Sequence, residues 1–143
     1  MTGRRNEGSR GPLPLAMTDA PDAKTALVVE DEMLFRLEVR DLLEAKGYAV
    51  VEAGNAAQAL ERLDGTVTLM ITDVRMPGTM DGLALAREVT RRRSDVAVIV
   101  VSAQVTPRPE ALPGHVPFVE RPFIESRFHA AIDRAVSART ESR

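Results

Sequence analysis

Apolar and polar residues fall into two kinds of block along this chain. Short continuous runs of apolar, often β-branched residues are typical of buried strands, whereas apolar residues spaced three or four positions apart predict helices. The runs of the first kind cover residues 25–29, 48–51, 67–72, 96–101 and 116–120. The chain therefore predicts five strands.

Helical spacing follows the first, second, third and fifth of these runs. The first of these helical segments ends at Gly47. Asn55 is placed to cap the second helix, which covers 55–64, and the third helix covers 83–93. The apolar stripes of the first and last helices are Phe35, Val39, Leu42 and Leu43, and Ile124, Phe128, Ala131, Ile132 and Ala135. Strands that alternate with helices predict an α/β fold with a parallel sheet covered on both faces.

The connection between the fourth and fifth strands breaks this rhythm. Residues 103–114 contain Pro107, Pro109 and Pro113. Proline removes a backbone donor and clashes with the preceding turn of a helix. We therefore expect the fourth helix of the alternation to be short or absent.

Polar side chains stand where four of the predicted strands end. Glu30 and Asp31 follow the first strand, Asp73 the third, Ser102 the fourth and Arg121 the fifth. The carboxyl ends of parallel strands meet at one edge of a sheet, so these groups should converge. Taken alone, Asp73 could equally begin a turn or cap the next helix.

A converging set of three carboxylates, one hydroxyl and one cation suggests a specific chemistry. Crowded carboxylates repel one another unless a cation neutralises them, and an all-oxygen ligand set suits Mg²⁺. An aspartate beside such a metal is a reasonable nucleophile for a phosphoryl group. Ser102 and Arg121 would then hold the remaining phosphoryl oxygens.

Composition narrows the domain organisation and the classes of partner that the chain can have. The chain has 143 residues, 44% of them hydrophobic, which fits one domain, and residues 1–24 are rich in Gly, Pro and charge, so we predict a disordered leader. A formal net charge of -2, 3% aromatic residues and the lack of a long apolar run predict neither a nucleic-acid nor a membrane partner. The lack of cysteine is compatible with a reducing, cytoplasmic setting.

Four motifs occur in order along residues 25–139. They are Val-Val-Glu-Asp-Glu at 28–32, Asp-Val-Arg-Met-Pro-Gly at 73–78 followed by Met-Asp-Gly-Leu at 80–83, Val-Ile-Val-Val-Ser-Ala at 98–103, and Phe-Val-Glu-Arg-Pro-Phe at 118–123. Together they closely resemble the motifs of two-component response-regulator receiver domains. The resemblance implies a doubly wound five-stranded parallel sheet of flavodoxin-like order 2-1-3-4-5, flanked by the leader and a tail at 140–143.

The resemblance also implies roles for individual residues. Asp73 would be the phosphoacceptor, and the donor a histidine of a sensor kinase or phosphotransfer protein. The Mg²⁺ ligands would be Glu30, Asp31, Asp73 and the backbone carbonyl of Arg75. Ser102 would be the switch hydroxyl and Phe118 the aromatic residue that moves with it. The protein would not be an enzyme acting on a separate substrate, although it would catalyse its own Mg²⁺-dependent phosphorylation and dephosphorylation.

Three departures from the family pattern affect this interpretation. Arg121 stands where the family usually has lysine, and its planar, bidentate guanidinium is not equivalent. Thr79 lengthens the loop after Asp73. The stretch from Ser102 to Arg121 is shorter than usual and Pro-rich, which alters a surface that most receivers use for output. A homodimer and the downstream protein are left open.

Other function classes fit the residues less well. A phosphatase with an aspartate nucleophile needs an acid two positions later, where Arg75 stands, and a dinucleotide-binding enzyme needs a Gly-rich turn where Glu-Asp-Glu occurs. A receiver-like module that binds proteins without being phosphorylated stays open, because of Arg121 and the altered connection. About twenty residues follow Arg121, so we expect a single-domain protein that signals by contact.

Overall fold

A computed structural model describes residues 24–102, 107–114 and 116–141 of the chain. The strands are β1 (Lys24–Val29), β2 (Tyr48–Ala53), β3 (Val67–Asp73), β4 (Ala97–Ser102) and β5 (Phe118–Glu120). The helices are α1 (Met33–Ala45), α2 (Ala56–Arg62), α3 (Gly82–Arg92) and α4 (Glu125–Glu141). Apart from Lys24, which begins β1, the predicted leader lies outside the described residues, as do residues 142–143 of the predicted tail.

The five strands form one parallel sheet in the order β2-β1-β3-β4-β5, as predicted. The pairing register aligns their carboxyl ends: Val29 lies beside Ala53 and Thr72, and Asp73 lies beside Val101. At the far side Ser102 pairs with Glu120. The residues that follow β1, β3, β4 and β5 therefore share one edge of the sheet.

Helices cover both faces of the sheet and bury two core clusters. One cluster includes Ala59 of α2 and Leu85 and Val89 of α3, and the other includes Leu43 of α1 and Phe128 of α4. Burial of side chains on both faces explains why the central strands are continuous apolar runs.

The predicted stripe of the last helix is correct except at its first residue. Phe128, Ala131, Ile132 and Ala135 are buried, but Ile124 is 48% exposed. Ile124 precedes Glu125, the first residue of α4, and its carbonyl accepts from the Phe128 amide at 2.9 Å. The helical spacing of Ile124 therefore wrongly predicted that it belongs to the buried face of the helix.

Local signals in the sequence set the helix ends. The side chains of Glu32, Asn55 and Asp81 cap α1, α2 and α3 by accepting from backbone amides three residues later, at 3.0, 2.9 and 2.8 Å. Gly47 follows α1 with a φ of 95°, a conformation that favours glycine.

The connection from β4 to β5 differs from the other crossovers. Its described residues, 107–114 and 116–117, contain a single turn of 3-10 helix at Pro109–Ala111, which matches the expectation of a short or absent helix there. The fourth α-helix along the chain is α4, which is present after β5 with 17 residues. The Arg121–Pro122 peptide bond is cis. No helix within the described ranges has both the length and the apolar character to cross a membrane.

Candidate functional site

Three carboxylates meet at the carboxyl edge of the sheet. One oxygen from each of Glu30, Asp31 and Asp73 lies within 4.8 Å of the others. Glu30 and Asp31 directly follow β1, and Asp73 is the last residue of the adjacent strand β3. The structure therefore brings together the acidic residues that the strand ends predicted.

Glu30 is buried among fixed groups, with only 4% of its surface exposed. Its Oε2 accepts from the amide of Glu32 at 2.9 Å, and its carbonyl accepts from the Arg36 guanidinium at 2.8 Å. Burial, followed by the nearby Asp73 charge, raises the pKa of Glu30 from 4.5 to about 8, although the Glu32 amide acts in the opposite direction.

Asp73 is held by the backbone that follows it. Its Oδ1 accepts from the Val74 amide at 2.8 Å, and the Arg75 amide makes a further hydrogen bond to the carboxylate. Burial raises the pKa of Asp73, while a hydrogen bond with Glu30 and these two amides oppose the rise. Burial and the nearby Asp73 charge therefore favour the protonated form of Glu30, as expected for two carboxyls this close together.

These residues fit a divalent cation. Burial is the main cause of both raised pKa values, and the charge of a neighbouring carboxylate adds to each rise. A cation bound by the three carboxylates would stabilise their charged forms, and an oxygen ligand set suits Mg²⁺. Arg75 lines the same cleft, which is compatible with its backbone carbonyl as a further ligand.

The carboxylates open into a cleft of about 340 Å³. A water molecule takes up about 30 Å³ of liquid, so the cleft has room for a hydrated cation beside a phosphoryl group. Its lining residues are Glu30, Asp31, Glu32, Phe35, Asp73, Arg75, Met76, Pro77 and Ser102. Ser102, at the end of β4, is 5% exposed, so the predicted hydroxyl also lies at this site.

Arg121 reaches the same edge but binds to α1. Its backbone amide donates to the Ser102 carbonyl at 3.1 Å. Its guanidinium carbon lies 3.6 Å from the centre of the Phe35 ring, and its Nη2 lies 3.3 Å from Glu38 Oε1. Within the described ranges, the ion pair of Arg121 is therefore with Glu38 of α1 and not with Asp73.

Phe118 lies away from the carboxylates. It pairs with Val100 in the sheet and packs, partly buried, against the core cluster that includes α2 and α3. Among the described residues, those that line the acidic cleft do not include Phe118.

The sequence did not single out Gly82 as part of the site. Its amide donates to the Val74 carbonyl at 2.8 Å, and a Cβ at this position would lie 1.5 Å from the Asp73 carbonyl oxygen. Only glycine lets α3 approach the end of β3 so closely. The glycine of the Met-Asp-Gly motif could have indicated this close approach. By contrast, no local sequence pattern indicates the contacts that Phe35 and Glu38 make with Arg121.

Known proteins resemble this chain over most of its length. The family described as "Response regulator receiver domain" matches residues 26–133. The transcriptional regulatory protein PdtaR of Mycobacterium tuberculosis is 33% identical over 130 residues, which are 87% of this chain and 62% of PdtaR. The sensor kinase CckA of Brucella abortus is 40% identical over 88 residues, 59% of this chain and 9% of that protein. The chain thus spans less than two thirds of the length of either relative.

Solved structures agree with the observed fold. NtrX from Brucella abortus has a TM-score of 0.72 at 28% identity and covers 85% of this chain, which spans 29% of NtrX. A response regulator receiver protein from Sinorhizobium medicae has a TM-score of 0.73 at 22% identity, covering 82% of this chain and 98% of that one. The parallel sheet and its flanking helices are therefore an arrangement that known receiver structures share.

Proposed function

This chain belongs to the response regulator receiver domain family, and from that premise we propose that it is a phosphorylation-dependent signalling switch with Asp73 as its phosphoacceptor. The observation that carries the proposal is the group of Glu30, Asp31 and Asp73 oxygens within 4.8 Å of one another at the end of β3. The Val74 and Arg75 amides orient the Asp73 carboxylate.

The proposed reaction transfers a phosphoryl group from nitrogen to oxygen. An Asp73 oxygen attacks the phosphorus of a phosphohistidine on a sensor kinase or phosphotransfer protein. The P–N bond breaks, the O–P bond forms, and the departing imidazole keeps the electron pair and takes up a proton. Attack of water on phosphorus later releases inorganic phosphate and restores the carboxylate. The chain would act on itself and not on a separate substrate.

Glu30, Asp31, Asp73 and the Arg75 carbonyl would hold Mg²⁺ in this reaction. The ion supplies positive charge to the phosphoryl oxygens as the O–P bond forms. A bound cation would stabilise the charged forms of Glu30 and Asp73. The ionised Asp73 carboxylate is the form that can attack phosphorus.

The remaining predicted residues would convert phosphorylation into a change of surface. Ser102, buried at the end of β4, is placed to donate to a phosphoryl oxygen. Phe118 lies on the next strand, where movement of Ser102 would change its packing. We propose that output is by contact with a downstream protein in the cytoplasm, with no direct nucleic-acid or membrane contact.

A second candidate is a protein-binding module that works without phosphorylation. The observation that favours it is the ion pair of Arg121 with Glu38, which keeps the cation of the site on α1. A receiver that never transfers its cation to a phosphoryl group would bind partners in one state only.

The first experiment separates the two candidates. The purified chain is incubated with acetyl phosphate, with and without Mg²⁺, and its intact mass is measured. We expect a gain of one phosphoryl mass that requires Mg²⁺ and is lost in Asp73→Asn. Asp41→Asn, an exposed residue of α1, is the matched control and should be labelled like the wild type. Labelling of Asp73→Asn would contradict the assignment, and absence of labelling in the wild type would favour the binding module.

A further inference from the structure

The guanidinium of Arg121 lies on an aromatic surface that also borders the acidic cleft. Its central carbon is 3.6 Å from the Phe35 ring centre, a distance typical of close stacking. Phe35 lines the cleft together with Asp73 and Ser102. The ring of Phe35 therefore touches both the cation and the space where a phosphoryl group would lie.

Within the part of the chain that the structure describes, the Arg121 guanidinium makes one long ion pair and leaves one of its donors unsatisfied. Nη2 lies 3.3 Å from Glu38 Oε1, and both side chains are about one third exposed. The Nε–H of Arg121 has no hydrogen-bond partner among the described residues, although it is shielded from solvent. An ion pair of this length and exposure is weak, and an unsatisfied donor favours a change of partner.

We propose that Phe35 is a positioning residue for Arg121, and that Glu38 competes with phosphorylated Asp73 for the guanidinium. This inference rests on the proposed role of Asp73 as phosphoacceptor. A phosphoryl group carries more negative charge than a carboxylate and accepts two parallel hydrogen bonds from arginine. The guanidinium moves along the Phe35 ring from Glu38 to the phosphoryl oxygens, and α1 loses its ion pair with the residue after β5.

The two α1 residues have opposite expected effects. Glu38→Gln removes the competitor, so the phosphorylated fraction and the lifetime of phospho-Asp73 should rise by about two- to fivefold. Phe35→Leu removes the stacking surface but keeps an apolar side chain, so the lifetime should fall by about two- to fivefold. Phe35→Tyr keeps the ring and should restore the lifetime. General destabilisation by mutation would not give effects of opposite sign.

The test uses the full chain with phosphoramidate and Mg²⁺ and follows intact mass at steady state and after removal of the donor. Glu44→Gln is the matched control, because Glu44 is an acid of α1 that pairs with Arg40. Each α1 substitution is repeated in an Arg121→Met background, where we expect neither Glu38→Gln nor Phe35→Leu to change the lifetime. In parallel, the Arg121 Nε–H resonance is recorded by NMR in the unphosphorylated chain.

The outcomes separate this inference from the proposed function. A wild type that takes no phosphoryl group overturns both the role of Asp73 and the competition. A labelled wild type in which Glu38→Gln behaves like Glu44→Gln overturns the competition alone. The ring of Phe35 should shift the Arg121 Nε–H resonance upfield, and an unchanged resonance in Phe35→Leu would overturn the positioning role whether or not the chain is labelled.

Discussion

The raised pKa of Glu30 predicts that the metal-free protein loses stability as pH rises. In the unfolded chain this carboxyl ionises near pH 4.5, whereas in the folded chain it keeps its proton up to about pH 8. Between these values the folded state binds more protons than the unfolded state, so the free energy of unfolding falls with increasing pH. The stabilisation is complete below pH 4.5 and is lost as pH approaches 8.

The size of this loss of stability follows from the difference between the folded and unfolded pKa values of Glu30. The interval from 4.5 to about 8 corresponds to about 5 kcal/mol at ~1.36 kcal/mol per pH unit. Because the Glu30 carboxyl lines an open cleft, water screens part of this energy. We therefore expect the free energy of unfolding to fall by about 2 kcal/mol. With an m value of ~1–2 kcal/mol/M, the urea midpoint should fall by about 1–2 M between pH 5.5 and 8.5.

The assay is urea unfolding followed by circular dichroism, since the chain has no Trp and one Tyr. Samples contain a chelator at pH 5.5 and 8.5. Glu30→Gln keeps the neutral form and its acceptor for the Glu32 amide, so most of the decrease should disappear. Glu61 is an exposed acid of α2, so Glu61→Gln is the control and should show the same decrease in urea midpoint as the wild type. Equal pH dependence in Glu30→Gln and the wild type would show that Glu30 is not the group responsible for the decrease.

Three further predictions can be tested with the same unfolding assay and by labelling. Gly82→Ala should cost about 1–3 kcal/mol and slow phosphoryl uptake, because its Cβ would meet the carbonyl at the end of β3, whereas Gly65→Ala has open space and should be nearly neutral. Phe128→Ala should cost about 3–5 kcal/mol because Phe128 is fully buried, and Ile124→Ala, at 48% exposure, should cost far less. Arg121→Lys should change the phosphoryl lifetime more than the urea midpoint, since lysine keeps the charge but not the planar stacking; an unchanged lifetime would leave the arginine without a special role.

Much of the fold could be predicted because its determinants are local. The runs at 67–72 and 96–101 are apolar on both faces, which a strand in a parallel sheet covered by helices requires. Asn55 and Gly47 mark helix ends through their own side chain or conformation. The convergence of Glu30 and Asp73 followed from the parallel direction of their strands alone.

The contacts within the site were less predictable because they depend on tertiary packing. Phe35 belongs to an ordinary series of apolar residues at helical spacing, and only the tertiary structure places its ring beside the Arg121 guanidinium, at 3.6 Å. Ile124 fitted the last stripe but lies outside it, because spacing does not show where a helix begins. Phe118 lies on the predicted strand, but its position away from the cleft is set by the side-chain alternation of β5.

The strand order also fixes the order in which the parts of the site are synthesised. β2 and β3 both pair with β1, and β4 and β5 extend the sheet beyond β3 in chain order. The three carboxylates of the cleft lie at the ends of β1 and β3, whereas Ser102 and Arg121 come with β4 and β5. The acidic group therefore leaves the ribosome before its hydroxyl and its cation, and α4, which contains the buried Phe128, follows last.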